Sequence, residues 1–531
     1  VASGKKTYQD LYNEVVSIAN HLLHLGVKKG DKVAILSANM PNWGITQFAI
    51  ANIGAIAVPV LPGFCSTELQ NILEHAEVKV IFVSRLLAKC LEGVKTPFLE
   101  HKILINNFST IPEGCYQPEE LDKLVPDISL NNTTPLPEVS IEEEDIASII
   151  YTSGTTGFSK GVVLTHKNLV WDARQCHTIQ PVDETYRFLS ILPMAHTYEN
   201  TLGLLLPLMF GAQVYYLDRV PTPKLLVPAM QKIRPTVVLS VPLIIEKIYK
   251  SQVLPKFTSS KSMSKLYQFA PARKLFNRLA GKKLMETFGG ELKFFGIGGS
   301  KLDGTVEPFL REAKFPYAIG YGLTETAPMA AGSHPSQTFL QGVGPVMEGV
   351  QIKINDPDKS GQGEIWIKGP NVMKGYYKRP ELTAETFTED GWFKTGDLGS
   401  FDKKNRLAIR GRIKTMILGA SGENIYPEEI ESIINNFRFV NESLVVENSG
   451  KLVAMVHFNM EELEKQYQKL KDQAGNYKEK INDYIEEQKQ ELRDYVNARV
   501  NNFSKLQLVL VQHEPFEKTP THKIKRFLYC K

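Results

Sequence analysis

The chain has 531 residues, and we expect more than one domain because a single hydrophobic core rarely grows past about 250–300 residues. Hydrophobic residues make up 43% of the chain and charged residues 23%, which excludes a wholly disordered protein. The 62 Lys and Arg residues nearly balance the 58 Asp and Glu residues, and the resulting net charge of +4 does not indicate a nucleic-acid partner.

Two long uncharged runs, at residues 33–67 and 201–217, must be distinguished from membrane spans. Asn and Pro residues interrupt the first run, and Pro207 and Gly211 interrupt the second. The first run predicts a buried strand, a helix and a second buried strand, at 33–37, 42–54 and 57–61. The second run predicts a helix followed by a strand at 213–217. We therefore expect no transmembrane helix in either place.

Apolar strands alternate with amphipathic helices through most of the first 330 residues, beginning with a helix at 8–25. Further buried strands are predicted at 78–83, 147–151, 188–192, 237–241 and 292–297. This alternation is typical of doubly wound α/β units. Between about 340 and 410, short strands separated by Gly, Pro and Asp predict a small β-barrel or antiparallel sheet. After Arg412, a helix, two strands and a charged helical stretch predict a compact α+β region of about 120 residues.

A phosphate-binding loop is the first chemical feature that the sequence indicates. An apolar strand end at 148–150 leads into Tyr151-Thr152-Ser153-Gly154-Thr155-Thr156-Gly157-Phe158-Ser159-Lys160-Gly161. Glycines let backbone N–H groups approach phosphate oxygens, hydroxyls donate further hydrogen bonds, and Lys160 adds a positive charge. The loop is not a Walker A motif, because no Gly-Lys-Ser/Thr closes it. A plain surface turn is the structural alternative, and the density of glycines and hydroxyls favours a polyphosphate site.

This loop and four later motifs resemble, in order, the signatures of the adenylate-forming enzymes, the superfamily of acyl-CoA synthetases, firefly-type luciferases and peptide-synthetase adenylation domains. The later motifs are Gly320-Tyr321-Gly322-Leu323-Thr324-Glu325-Thr326, Gly391-Trp392-Phe393-Lys394-Thr395-Gly396-Asp397-Leu398-Gly399, Arg410-Gly411-Arg412-Ile413-Lys414 with Gly422-Glu423-Asn424-Ile425-Tyr426-Pro427, and Lys518-Thr519-Pro520-Thr521-His522-Lys523-Ile524-Lys525-Arg526. The resemblance extends from Thr7 to Lys525.

The fold that this resemblance implies is α/β and has two moving parts. A large N-terminal adenylation domain, residues 1–411, would contain two doubly wound subdomains and the small β-barrel. A hinge at 412–414 would connect it to a smaller, mobile α+β domain at 415–531.

The reaction that the resemblance implies has two halves. A carboxylate attacks the α-phosphate of ATP to give an acyl-adenylate and pyrophosphate, and a thiol, usually that of coenzyme A, then displaces AMP. Because the first half brings anions together, the site needs positive charge and Mg²⁺. Glu325 is the implied Mg²⁺ ligand, since Mg²⁺ prefers oxygen. The implied nucleotide-binding residues are Thr152, Ser153, Gly154, Thr155, Thr156, Gly157 and Lys160 for the β- and γ-phosphates, Thr324 for the α-phosphate, Tyr321 and Gly322 for adenine, Gly299 and Ser300 beside it, and Asp397 and Arg412 for the ribose.

The implied catalytic residue of adenylation is Lys523, supported by Thr324 and Glu325. A lysine on a mobile segment can bridge the acyl oxygen and the α-phosphate as charge builds. The commonest family pattern has glycine where this sequence has His522. Lys518 and Lys525 are nearby rivals, and a basic, solvated tail is the structural alternative.

Two further implied roles concern movement and stacking. Lys414 matches the family's hinge position, where rotation would remove Lys523 and bring in the loop 419–424 for the thiol step. An ordinary surface lysine is the alternative. Tyr321 lies between two glycines, which would leave its ring face open to stack on adenine.

The acid is indicated by Leu192-Pro193-Met194-Ala195-His196-Thr197-Tyr198-Glu199, which resembles the corresponding motif of long-chain fatty acyl-CoA synthetases. Peptide-synthetase domains hold an amino group with an Asp, and no counterpart is evident near Val241. An apolar pocket without a paired carboxylate favours an unsubstituted acyl chain. We expect His196, Val241 and Gly298 at the acyl pocket, with His196 also among the catalytic residues. A satisfied core histidine is its alternative role.

These patterns predict a long-chain fatty acid–CoA ligase that uses fatty acid, ATP, Mg²⁺ and coenzyme A. A fatty acyl-AMP ligase or acyl-carrier-protein ligase shares the first half-reaction, and a non-catalytic nucleotide- or lipid-binding homologue is the alternative from another class. Five scattered cysteines without a CxxC pair indicate a reducing compartment and no structural zinc. The predicted location is the cytoplasm.

A basic stretch at 247–283 contains ten Lys or Arg residues and no acid. Apolar residues are interleaved with these charges, at Tyr267, Phe269, Leu275 and Phe276. Peripheral contact with an anionic membrane, on its inner face, is one interpretation. A landing site for the phosphates of coenzyme A and a plain solvated face are the other two.

Overall fold

The structure is a computed structural model that describes residues 4–64, 66–128, 130, 134–152, 159–219, 221–258, 260–418, 424–448, 450–464, 477–519 and 523–529. Its α-helices are α1 Tyr8–His24, α2 Pro41–Asn52, α3 Ser66–Ala76, α4 Pro118–Leu121, α5 His166–Ile179, α6 Thr197–Glu199, α7 Leu206–Met209, α8 Pro223–Ile233, α9 Pro242–Ile248, α10 Leu254–Thr258, α11 Lys261–Gln268, α12 Ala270–Thr287, α13 Val306–Glu312, α14 Pro380–Thr386, α15 Pro427–Ile434 and α16 Tyr477–Asn497. Two π-helical segments, Asn200–Leu205 and Tyr249–Val253, lead into α7 and α10.

The strands fall into five sheets. In chain order they are β1 Lys32–Leu36, β2 Ile56–Pro59, β3 Val78–Val83, β4 His101–Leu104, β5 Ser109–Thr110, β6 Ile146–Thr152, β7 Lys160–Thr165, β8 Arg187–Ser190, β9 Gln213–Tyr216, β10 Val237–Ser240, β11 Phe294–Ile297, β12 Tyr317–Gly322, β13 Met329–Gly332, β14 Gln351–Asn355, β15 Gly363–Lys368, β16 Gly375–Tyr376, β17 Phe393–Phe401, β18 Leu407–Arg412, β19 Ile417–Leu418, β20 Asn424–Ile425, β21 Val440–Asn448, β22 Lys451–Phe458 and β23 Leu508–Val511.

The first two sheets form the large α/β part of the molecule. One has the strand order β16-β7-β6-β2-β1-β3-β4-β5 and the other β13-β12-β11-β10-β8-β9. Their central neighbours pair in parallel, and antiparallel pairs occur towards the edges. Helices cover the sheets, so residues such as those of β3 are almost wholly buried and read as an apolar run in the sequence. The predicted α/β fold with two doubly wound units is confirmed.

The uncharged run at 33–67 forms β1, α2 and β2, as expected for a sheet core. Within the described residues, no helix has the length and apolar character needed to cross a membrane.

The third sheet, β14-β15-β17-β18, corresponds to the region predicted as a small β-barrel or antiparallel sheet. All of its neighbouring strands are antiparallel. No ladder in the described part of the chain joins the outer strands β14 and β18, so the sheet is open rather than closed into a barrel. Local turn residues indicate short antiparallel strands, but closure depends on pairing between strands distant in sequence.

The C-terminal region packs around a separate small core. The sheet β21-β22-β23 contacts α15 and α16 through side chains that include Ile434, Ala454, Leu492 and Val509. The predicted hinge, 412–414, begins at the last residue of β18 and continues into the 3₁₀ turn Ile413–Thr415, where Lys414 is exposed. The division into moving parts stays a prediction.

Polar contacts hold the C-terminal region against the N-terminal sheets in this structure. The Lys250 ammonium donates to the Asn435 carbonyl at 2.6 Å and lies 3.5 Å from the Asp303 carboxylate. The Asn436 side-chain amide donates to the same carboxylate at 2.9 Å. We refer to these four residues as the domain latch. The latch residues join the C-terminal region to the segments around α9 and α13 in this structure.

Candidate active site

The phosphate loop begins and ends on a β-hairpin. Thr152 at the end of β6 is the register partner of Lys160 at the start of β7, so the two ends of the loop are held side by side. The Thr152 hydroxyl is buried and has no hydrogen-bond partner among the described residues. A buried hydroxyl without a hydrogen-bond partner lowers the stability of the fold, unless a ligand atom supplies the partner. The predicted residues Ser153, Gly154, Thr155, Thr156 and Gly157 lie outside the described residues.

Lys160, Glu325 and Tyr376 form the first polar cluster of the site. The Lys160 ammonium lies 3.1 Å from Glu325 Oε1 and donates to the Tyr376 hydroxyl at 2.5 Å. That hydroxyl donates in turn to Glu325 Oε1 at 2.9 Å. Burial alone would raise the pKa of Glu325, but the Lys160 charge and these hydrogen bonds hold it below its usual value. Glu325 is therefore an anion, as a Mg²⁺ ligand must be.

Asp397 is the centre of a second polar cluster. Asp397 and Arg412 are register partners on β17 and β18, and Arg412 Nε lies 2.9 Å from Asp397 Oδ1. The Tyr321 hydroxyl donates to Asp397 Oδ2 at 2.9 Å. Burial raises the pKa of Asp397, and Arg412 and Tyr321 oppose that rise. The three predicted contacts of adenine and ribose thus lie together.

The two glycines beside Tyr321 allow the neighbouring backbone to pack closely against β12. A Cβ on Gly322 would lie 1.7 Å from the Pro328 carbonyl, and one on Gly320 would lie 2.7 Å from the Met329 side chain. Only glycine allows β13 to return so close to β12. Tyr321 has 8% of its surface exposed, and stacking of its ring on adenine stays a prediction.

Lys523 on the C-terminal segment is an exposed residue, and its ammonium is near enough to Arg412, Asp397 and Glu325 to interact with them electrostatically. Lys518 and Ile524 form an isolated antiparallel bridge, and the Thr519 amide donates to the Lys523 carbonyl at 2.8 Å. The surrounding protein lowers the pKa of the Lys523 ammonium, and Arg412 lowers it further, against the pull of Asp397 and Glu325. Its rival Lys518 is instead paired with Glu442 on β21.

His196 caps the start of α6. Its Nδ1 accepts a hydrogen bond from the Tyr198 amide at 3.2 Å. Burial lowers the pKa of His196 to about 4, and the Lys523 ammonium acts in the same direction. The imidazole is therefore neutral at physiological pH, and it is suited to a wall or a hydrogen-bonding group more than to a charged one.

A small cavity of about 50 Å³ is lined by strands of the second sheet and by the helical segments that follow His196. Its lining carries no Asp, Glu, Lys or Arg and consists of Cys176, Ile179, Gln180, Val182, Phe188, Tyr198, Leu202, Leu206, Val237, Leu239, Phe294, Gly296, Ile297, Ala318, Ile319, Gly320, Met329, Gly332 and Ser333. Gly298 borders it, because a Cβ there would lie 3.1 Å from the Tyr198 ring. His196 and Val241 are not part of this lining.

The remaining predicted residues lie around the cleft. Thr324 is partly buried in the 3₁₀ turn Thr324–Thr326, between Tyr321 and Glu325 in sequence. Gly299 and Ser300 are exposed after β11, and Gly299 has a φ of +84°, a left-handed conformation that favours glycine. Residues 419–423 of the predicted thiol-step loop lie outside the described residues.

Tyr376 is a site residue that the sequence analysis missed. It belongs to no motif that was recognised, and it reaches Lys160 and Glu325 because β16 pairs with β7 across more than 200 residues of sequence. The Lys160 ammonium also lies 4.2 Å from the centroid of the Tyr376 ring. The nearest available signal was the Gly375-Tyr376 pair, which is too short to predict a strand.

Comparison with known proteins identifies the family. The model of the AMP-binding enzyme family matches residues 2–377, and the chain belongs to this family. The predicted relationship to the adenylate-forming enzymes, and with it the prediction of an enzyme, is confirmed.

Curated proteins are similar to this chain in sequence, and a solved structure is similar to it in fold. Fatty acyl-CoA synthetase A of Dictyostelium discoideum is 27% identical over 595 residues, covering 99% of this chain and 85% of that protein. The chloroplastic long-chain-fatty-acid–[acyl-carrier-protein] ligase AEE15 of Arabidopsis thaliana is 28% identical, covering 87% and 73%. The crystal structure of ATP-bound MatB from Rhodopseudomonas palustris matches with a TM-score of 0.76 at 22% identity, covering 99% and 94%, which supports the fold.

The residues of the cleft fit a Mg²⁺ complex of ATP. The unpartnered Thr152 hydroxyl and the Lys160 ammonium can meet phosphate oxygens, and the Glu325 carboxylate offers an oxygen ligand. No group of three or more His, Cys, Asp or Glu side chains suited to a metal occurs in the described part of the chain. Since Mg²⁺ commonly takes one or two carboxylates with substrate phosphates and water, one glutamate is a sufficient protein contribution.

Proposed function

We propose that this enzyme is a long-chain fatty acid–CoA ligase. The observation that carries the proposal is the uncharged lining of the cavity, together with the Lys160–Glu325 cluster of the predicted phosphate site. At about 50 Å³ the cavity would have to widen to hold a long acyl chain. An uncharged wall favours an unsubstituted chain, because a polar substituent buried there would lose its hydrogen bonds with water. The names of the relatives, fatty acyl-CoA synthetases among them, support the same substrate class.

In the first half-reaction the fatty carboxylate attacks the α-phosphorus of ATP, and the bond to pyrophosphate breaks. Thr152 and Lys160 would bind the β- and γ-phosphates, and Glu325 would hold Mg²⁺, which neutralises phosphate charge when bound. Asp397 would accept the ribose hydroxyls. Lys523 would stabilise the charge that builds between the acyl oxygen and the α-phosphate.

The first step requires the Lys160–Glu325 ion pair to exchange partners. In this structure the Lys160 ammonium neutralises Glu325 at 3.1 Å. When the nucleotide enters, the ammonium would move to phosphate oxygens, and the freed carboxylate would take the metal. The Tyr376 hydroxyl stays with Glu325 throughout and would keep its orientation.

In the second half-reaction the thiol of coenzyme A attacks the acyl carbon and AMP leaves. For this step the C-terminal domain, residues 415–531, would rotate about 412–414, which would take Lys523 away and admit the thiol. Lys414 would absorb the change in backbone torsion. The latch contacts of Lys250 and Asp303 would break during this rotation.

An acyl-carrier-protein ligase is the second candidate, favoured by the resemblance to a ligase of that name. A screen of pyrophosphate release across acids from acetate to oleate, followed by thioester formation with free coenzyme A or with holo-carrier protein, separates the two. The proposal predicts release that is strongest for long unsubstituted acids and a thioester with coenzyme A. No release with any acid would identify a non-catalytic homologue and refute the proposal.

We propose further that the protein acts in the cytoplasm, has no nucleic-acid partner, and makes peripheral contact with the inner face of an anionic membrane through residues 247–283. The near-zero balance of charge over the whole chain supports the absence of a nucleic-acid partner. The ten cations of the stretch support the membrane contact.

A further inference from the structure

A cluster of three rings connects α3 with the strands that carry the phosphate site. His75 is in the last turn of α3, and its Nδ1 lies 2.6 Å from the Tyr151 hydroxyl oxygen. The His75 ring meets the rings of Tyr151 and Tyr377 edge-on, with centroids 5.8 Å apart in each pair. Tyr151 belongs to β6, and Tyr377 directly follows β16. We call these three residues the ring cluster, which joins a helix to two strands that are distant in sequence.

The ring cluster and the cleft lie on opposite faces of one sheet. Successive side chains of a strand point to alternate faces, and β6, β7 and β16 are neighbours in the first sheet. The cleft face carries three polar residues of the site, Thr152, Lys160 and Tyr376. The other face carries the residues that adjoin them in the chain, Tyr151, Gly161 and Tyr377. The cores agree with this division, because Tyr151 and Tyr377 pack in the core that contains α3, whereas Tyr376 packs in the core of the second sheet.

Further contacts make the ring cluster part of the base of the phosphate loop. Gly161 is the register partner of Tyr151, and a Cβ on Gly161 would lie 3.2 Å from the Tyr151 ring, so that ring crosses β7 directly over this glycine. The Tyr377 amide donates to the Gly161 carbonyl at 2.8 Å. The Lys378 ammonium donates to the His75 carbonyl at 3.2 Å. His75 therefore contacts the chain on both sides of β7, the strand that begins with Lys160.

The hydrogen bond of the ring cluster joins two groups that are uncharged at physiological pH. Burial lowers the pKa of His75, and the cations of Arg379 and Lys378 lower it further, while Glu77 opposes them. Burial raises the pKa of the Tyr151 hydroxyl. Loss of a bond between neutral groups should have a moderate effect, smaller than the loss of a bond to a charged group.

We propose that His75 is a positioning residue of the phosphate site. Its hydrogen bond to Tyr151 fixes the end of β6, and this directs the buried hydroxyl of the next residue, Thr152, to the β- and γ-phosphates of ATP. Its contact with Tyr377 fixes the segment that presents Tyr376 to the cleft. His75 itself lies on the other face of the sheet and does not touch the nucleotide. The inference rests on the proposed function, because it assumes that the phosphates of ATP bind here.

The test compares two nucleotides that differ in the phosphates they present to the loop. Calorimetric titration of the full chain with Mg²⁺ measures the Kd of α,β-methylene-ATP, whose α,β linkage is not cleaved, and the Kd of AMP. His75→Phe keeps a ring between the tyrosines, and Tyr151→Phe removes only the hydroxyl. The double variant combines both changes. The matched control is His101→Phe, which replaces a histidine on β4 of the same sheet.

His75→Phe and Tyr151→Phe should each weaken binding of the ATP analogue by about three- to tenfold, and the Kd of AMP should stay within about twofold of wild type. The double variant should lose no more than either single variant, because the same hydrogen bond is removed in all three. The control should bind both nucleotides as the wild type does. Thermal melting shows whether each variant is folded, and Tyr151→Phe alone decides if His75→Phe is not.

The proposal is wrong if Tyr151→Phe or a folded His75→Phe binds the ATP analogue as the wild type does. It is also wrong if the variants lose affinity for the analogue and for AMP equally, because that result would indicate a general loss of structure. A wild-type chain that binds neither nucleotide would instead refute the proposed function. Failure of the positioning role is therefore distinguishable from failure of the ligase.

Discussion

The substitution Tyr376→Phe removes one hydroxyl and keeps the ring that faces Lys160. In the wild type this hydroxyl donates to Glu325 at 2.9 Å, and we expect that bond to persist after Lys160 moves to the phosphates. A hydrogen bond to a charged group contributes about 1.5–3 kcal/mol. If losing this hydrogen bond destabilises the transition state by the same free energy, kcat/KM for ATP should fall roughly 10- to 150-fold. The pKa of Glu325 should also rise, because a bond to its charged form is lost.

The assay is continuous pyrophosphate release at varied MgATP with a saturating fatty acid. Tyr377→Phe is the matched control, since its ring packs edge-on against His75 with centroids 5.8 Å apart. The control should remain within about twofold of wild type. A Tyr376→Phe enzyme with unchanged kcat/KM for ATP would refute the role assigned to this hydroxyl. A stability measurement in urea distinguishes a specific loss from partial unfolding.

Three further predictions concern Lys523, the latch and the hinge. The pKa of Lys523 is lowered and the charged form of its ammonium is required, so pyrophosphate release should decline as pH rises through that pKa. Lys523→Arg should move this decline to higher pH, even if the rate is reduced. An alkaline decline at the same pH in both enzymes would contradict the prediction. Lys250→Ala should weaken the latch by about 1 kcal/mol and slow adenylation about fivefold. The rate of thioester formation from supplied acyl-adenylate should be unchanged. Equal losses of rate in both half-reactions would argue against the role of the latch. Lys414→Pro should restrict the backbone torsions needed for domain rotation and slow the thioester step more than adenylation. If the variant catalyses both half-reactions at wild-type rates, Lys414 is not a hinge residue.

Much of the fold was predictable because its signals are local. The strand predicted at 78–83 is Val78–Val83 in the structure, since a strand covered on both faces leaves an unbroken apolar run. The phosphate loop and the later motifs were also visible as strings of unusual composition. Asp397 and Arg412 were predicted as neighbours through the resemblance, and their pairing on adjacent strands brings them to 2.9 Å.

Features that depend on distant pairing were not predictable in the same way. Tyr376 joins Lys160 and Glu325 only because β16 lies beside β7, and no local pattern indicates that ladder. Closure of the third sheet into a barrel depends on its outer strands, which do not pair. Charge spacing showed the basic stretch, but it did not show that Tyr267 and Phe276 face inward while Phe269 and Leu275 face outward.

We propose that Lys523 drives adenylation from the domain orientation seen here. The most direct test measures both half-reactions of Lys523→Ala: pyrophosphate release with palmitate, ATP and Mg²⁺, and thioester formation from synthetic palmitoyl-adenylate and coenzyme A. We predict that the first rate falls by about 100-fold or more, because the charge that stabilises the transition state is removed. The second rate should stay close to that of the wild type. Undiminished pyrophosphate release by Lys523→Ala would show that this lysine is not needed for adenylation.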